Sequence, residues 1–192
     1  LVGGDGMKMR QYCIKGEALS GGYVSEVIAE ALSMAESNAC MRRIVAAPTA
    51  GACGVLPAVL LPLCKYEELS QHQLLEALYV ASGIGAVIAY RACIAGASGG
   101  CQAEIGTASA MAAGALVAMA LKNLMGLVCD PVAGLVEIPC VKRNVIGAVN
   151  AVSVADMAMA GIESRIPVDE VIDAMGEVGR RMPVEFRETA LG

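Results

Sequence analysis

The chain has 192 residues, enough to bury one sizeable core, and a single domain over residues 1–192 is expected. Its formal charge of −5, from 14 Lys and Arg against 19 Asp and Glu, argues against a nucleic-acid partner; Arg42-Arg43 and Lys142-Arg143 are too short to make a basic stripe. Trp is absent, there is one Phe, and the apolar content is mostly Ala, Gly, Met, Val and Leu, which suits helices packed at close range.

Leu1 to Gly22 is glycine-rich and reads as irregular, and a domain rarely begins this way, so further residues are expected upstream. From Tyr23 to Ala39, Val24, Val27, Ile28, Ala31, Leu32 and Ala35 recur at helical spacing and predict an amphipathic helix. Ile44 to Cys64 is free of charge and long enough to span a bilayer, but Pro48, Gly51, Gly54, Pro57 and Pro62 interrupt it, so no membrane segment is expected. Within it Ala46 to Gly54 predicts a tight loop leading into a helix from Val55 to Cys64. Exposed N–H groups at such a helix start suit a carboxylate, which makes Pro48, Thr49, Ala50 and Gly51 candidate binding residues.

Ser70 to Ile94 predicts one long helix with a capping box of Ser70 and Gln73, and Gly83 and Gly85 would admit a close neighbour. Its first turn carries the sole histidine, His72, in a solvated position unsuited to catalysis. Gly96 to Gly106 (GASGGCQAEIG) is a glycine-rich turn running into a small-residue helix from Gln102 to Ala120. Asn144 to Gly161 predicts another helix, closed by Gly161 in a left-handed conformation, and Pro167 opens a further one with Val168, Val171, Ile172, Met175 and Val178 inward. Glu185 to Leu191 forms a last turn or two. No segment alternates strictly, so the fold class is all-α.

The chemistry gathers on cysteine. Eight are present with no leading signal segment, which suggests a reducing, cytoplasmic setting and thiol or metal chemistry in place of disulfides. Cys13, Cys40, Cys64 and Cys93 lie among apolar neighbours and read as packing residues. Cys101 follows two glycines, Cys129 precedes Asp-Pro and Cys140 follows Pro139, contexts that hold a thiol in place. From these residues alone an iron-sulfur cluster, a zinc ion and unligated core cysteines stay open, although the closely paired knuckles of structural zinc sites are missing.

GASGGCQAEIGTASAMAAGA, CDPVAGLVEIPCVKRN, AAPTAGACGVLP and the closing IPVDEVIDAMGEVGRRMPVEFRETALG resemble, in that family's order along the chain, the alpha subunit of bacterial iron-sulfur-dependent L-serine dehydratases. The resemblance implies a 4Fe-4S cluster on Cys101, Cys129 and Cys140, with Cys53 left out, and conversion of L-serine to pyruvate and ammonia. It also implies that the substrate's carboxylate is received by the Pro48–Gly51 loop, with Ser98, Gly99, Lys142 and Asn144 as further substrate-binding candidates and Arg143 facing substrate or cluster. Asp130 reads as a turn residue, and the role of Glu104 stays open. No residue here is identified as the general base, so a beta subunit is expected as partner, within a hetero- or homo-oligomer. Relative to the family the interval between Cys101 and Cys129 is short, either by a real deletion or by a missing loop near 119–121, and the chain is expected to be a fragment that also lacks N-terminal residues and the C-terminal tail. The alternatives are an open-iron hydro-lyase acting on a hydroxy acid and a non-catalytic iron-sulfur helical subunit.

Overall fold

The computed structural model describes residues 3–16, 18–114, 121, 124 and 137–187, at 137–140, 156, 159 and 185 by the backbone alone. Among the described residues there are seven α-helices and no strand, as the absence of strict alternation predicts. In chain order these are α1 (Asp5–Ile14), α2 (Gly21–Ala39), α3 (Val55–Tyr66), α4 (Gln71–Arg91), α5 (Gly96–Ala113), α6 (Glu137–Met159) and α7 (Val168–Arg181). Short 3-10 turns lie at Ala50–Ala52 and Val184–Phe186.

The axis of the molecule is α5. Every residue from Cys101 to Ala110 is buried, and α3, α4, α6 and α7 pack around it. Ala103, Ala108 and Ala110 are fully covered, so these small side chains let helices close in on several sides. Val27, Val55, Ile88, Ile105, Val154 and Ile172, one from each of α2 to α7, meet in a single core, where removal of apolar surface from water supplies the main stabilisation.

The irregular N-terminal segment expected from sequence is corrected: Asp5–Ile14 is helical. The cause is distant in sequence. The Glu36 carboxylate on α2 accepts from Asp5 N–H at 2.7 Å, placing an anion on the unpaired amides of the first turn, and Arg10 pairs with Glu30 at 2.7 Å.

At α4 the local signals hold. Gln73 N–H donates to Ser70 Oγ at 3.3 Å and Ser70 N–H to Gln73 Oε1 at 3.0 Å, the predicted capping box. The helix stops at Arg91, three residues short of the expected end, where Ala92 leaves helical geometry and Arg91 turns to grip Asp173 of α7 at 3.0 and 2.7 Å. That grip holds the Asp173 carboxyl below the usual carboxylate range. Gly85 receives Met111 as expected, but among the described residues none comes within 4 Å of a Cβ at Gly83, and Tyr79 and Tyr90 are 77% and 92% exposed. By length and composition α4 is the one helix among the described residues apolar enough to cross a membrane. Ile44 to Cys64 is instead divided into loop, 3-10 turn and helix.

The start of α6 precedes the predicted Asn144 because Pro139 falls in its first turn, where a missing N–H breaks no helical bond. Its end matches expectation: Gly161 has φ 79°, with Gly161 N–H to Ala158 O at 2.9 Å and Ile162 N–H to Met157 O at 3.0 Å. Val171, Ile172 and Met175 of α7 are buried, Val168 is 39% exposed, and the Arg187 side chain closes the helix by donating to the carbonyls of Gly179, Arg180 and Met182.

Candidate active site

The site begins with the break that presents Cys101. Gly100 has φ 69° and ψ −176°, a conformation favouring glycine, and it separates the turn Gly96–Gly99 from the regular helix that runs on from Cys101. The turn is wedged between neighbours: a Cβ at Gly99 would stand 2.5 Å from Cys93 Sγ. Burial pushes the Cys93 thiol up, while the Arg187 and Arg180 guanidiniums pull it the other way.

Cys101 is fully buried, and Arg143 Nη1 donates to its sulfur at 3.0 Å. A guanidinium can only donate, so the sulfur is the acceptor. Arg143 sits on α6 three residues after Cys140, and positions three apart share a helix face. The second turn of α6 is thereby tied to the start of α5.

Beside this contact lies the predicted tight loop, and both helices hold it. Asn144, 1% exposed, donates from Nδ2 to Gly51 O at 2.9 Å and accepts from Gly54 N–H at 2.8 Å. Glu104, on α5 one turn beyond Cys101 and 5% exposed, accepts from Thr49 Oγ1 at 2.7 Å. Gly51 runs so near this carboxylate that a Cβ there would stand 2.7 Å from Glu104 Oε2. Asn38 Nδ2 reaches Ala50 O at 2.9 Å from α2. Cys53 points away: its thiol, 2% exposed, lies 3.8 Å from Met34 O, and burial pushes it up to about 11.

The structure thus brings Thr49, Gly51, Asn144 and Cys101 together through Glu104 and Arg143. Pro48 is half-buried and Ala50 exposed in the same loop, while Ser98 is exposed and Gly99 buried in the turn before Cys101. Lys142 is exposed and lines a cavity with Asp5, Lys8 and Tyr12 of α1. Cys129 and Asp130 lie outside the described residues, as does the Cys140 side chain, and among the described residues no three His, Cys, Asp or Glu side chains gather around a metal. His72 is exposed and pairs only loosely with Glu76 at 3.5 Å. The residue whose role the sequence left open is Glu104; its one signal is the three-residue spacing from Cys101.

These features define a class: an all-helical domain that presents a buried thiol at a helix start, against a Pro/Gly loop fastened by a carboxylate and an amide. The whole chain, residues 1–192, matches the serine dehydratase alpha chain family, and it belongs to that family. It is 49% identical to the probable L-serine dehydratase alpha chain of Bacillus subtilis, covering 100% of this chain and 69% of that protein. It is 44% identical to the L-serine dehydratase alpha chain of Peptoniphilus asaccharolyticus, covering 100% and 70%. With L-serine dehydratase 2 of Escherichia coli the identity is 43%, over 84% of this chain and 39% of that longer protein.

Proposed function

We propose that this chain is the alpha chain of an L-serine dehydratase, working with a beta chain to convert L-serine to pyruvate and ammonia. The observation that carries the reading is Arg143 Nη1 against Cys101 Sγ beside the fastened Thr49–Gly54 loop, in a chain matched by the family from end to end. A buried sulfur that accepts from a cation, the cation itself standing one helix turn from Cys140 in α6, fits a set of soft thiolate ligands.

In this reading Cys101, Cys129 and Cys140 hold a 4Fe-4S cluster, which supplies an iron free of protein sulfur as Lewis acid for the β-hydroxyl. Arg143 offsets negative charge at the Cys101 sulfur and fixes its direction. The Pro48–Gly51 loop receives the substrate's carboxylate, and Asn144 keeps that loop in place by binding its backbone on both sides of Ala52. Loss of the α-proton and the β-hydroxyl from L-serine gives one water and an enamine. Tautomerisation to the imine and addition of one water then release pyruvate and ammonia. The proton-accepting base is assigned to the beta chain, because the single histidine stands exposed on the first turn of α4. The setting is cytoplasmic, without nucleic acid or membrane, in a hetero- or homo-oligomer.

The test is reconstitution under anaerobic conditions of the alpha chain alone and with its beta chain, followed by assay for pyruvate from L-serine. Turnover that requires both chains supports the reading. Full turnover by the alpha chain alone removes the beta-chain base, and turnover of a hydroxy acid in place of serine moves the chain to a different hydro-lyase.

A further inference from the structure

A buried carboxylate is a costly way to fasten a loop, because removing it from water is unfavourable unless it is hydrogen-bonded, and an apolar pair often packs as well. Glu104 nonetheless occupies the junction of α5 and the Thr49–Gly54 loop, 5% exposed and one turn from Cys101. The contact has a direction. The Thr49 hydroxyl donates to Glu104 Oε1 at 2.7 Å, and that bond takes the one hydrogen the hydroxyl can give. What remains on the Thr49 oxygen is its capacity to accept. Asn144 fixes the loop backbone independently only at Gly51 and Gly54, so the Glu104 bond acts on Thr49 and its neighbour Ala50 and not on the backbone beyond them.

We propose that Glu104 is a positioning residue that holds Thr49 Oγ1 as a hydrogen-bond acceptor for a donor group of the substrate, an α-ammonium being the donor an amino acid brings. This rests on the L-serine reading above and refines it, since an acceptor held in this way favours an amino acid over an analogue without the nitrogen. Glu104 need not touch the substrate; it acts through Thr49.

The experiment compares Glu104→Gln, Glu104→Ala and Thr49→Val in the reconstituted enzyme with its beta chain, together with hydrogen exchange of amides 49–54 in the unreconstituted alpha chain. Gln keeps an acceptor oxygen for the Thr49 hydroxyl, so Glu104→Gln restores most of what Glu104→Ala loses. Glu104→Ala and Thr49→Val each raise the KM for L-serine about 10-fold with a smaller change in kcat, and the double variant is no worse than either single one. Hydrogen exchange at Thr49 and Ala50 speeds up in Glu104→Ala and stays near wild type in Glu104→Gln. The proposal is overturned if Glu104→Gln loses kcat as fully as Glu104→Ala, which would make the carboxylate itself the proton carrier. It is equally overturned if Glu104→Ala changes neither KM nor exchange. A wild-type enzyme that ignores L-serine would refute the functional reading instead, while the exchange measurement still reports on the Thr49–Glu104 tie.

Discussion

Arg143 Nη1 lies 3.0 Å from Cys101 Sγ, joining residues 42 positions apart and fixing the first turns of α6 to the start of α5. In the proposed cluster site, a donor of this kind would act on the Cys101 ligand from outside the coordination sphere, orienting it and adjusting its electron density.

Arg143→Ala is therefore expected to bind iron about 10- to 100-fold more weakly than wild type, with the helical content unchanged. Arg143→Lys, which keeps the charge without the planar fork, falls between the two. Competition with a chelator, followed by iron determination, measures both.

Asn144 supplies two bonds to the loop backbone, and its removal leaves the buried Gly54 N–H without this acceptor and the half-buried Gly51 O without this donor. Asn144→Ala should destabilise the chain by about 1–3 kcal/mol, roughly 2–4 °C in Tm for each kcal/mol. Asn144→Asp keeps the acceptor for Gly54 but sets an oxygen against Gly51 O, and it should be no more stable than the alanine variant. Thermal unfolding followed by circular dichroism decides.

Cys53 is held neutral by burial, its thiol pushed from an ordinary 9.0 up to about 11. The folded chain keeps this proton where the unfolded chain has lost it, so stability is full below pH 9 and falls as pH rises from about 9 to 11. Cys53→Ala should flatten that alkaline slope in denaturant titrations. In the native wild type at pH 8, a thiol reagent should label the exposed Cys40 and spare Cys53.

What could be read from the sequence was what neighbours in the chain decide. The Ser70–Gln73 capping box, the left-handed Gly161 and the tight loop at Ala46 to Gly54 each depend on a few adjacent residues, and each is present. What stayed hidden depends on distant partners. The helix Asp5–Ile14 needs Glu36, 31 positions away, and the role of Glu104 rests on Thr49, 55 positions away. Spacing did place Cys101 and Glu104 on one face of α5, but a periodic pattern cannot say which loop that face will meet. Gly83 and Gly85 of the apolar α4 predicted close neighbours, yet Leu75, Tyr79, Val87 and Tyr90 stand exposed, because composition sets how apolar a helix is and not how many sides are covered.

The central claim is that Cys101, Cys129 and Cys140 act as one ligand set. It is tested most directly by iron and sulfide determination on anaerobically reconstituted chains carrying Cys101→Ser, Cys129→Ser or Cys140→Ser, beside Cys53→Ser as control. The account predicts about four irons and four sulfides per chain in wild type and Cys53→Ser, and loss of the cluster in each of the other three. A full complement of iron in Cys129→Ser or Cys140→Ser, or its loss in Cys53→Ser, would contradict it.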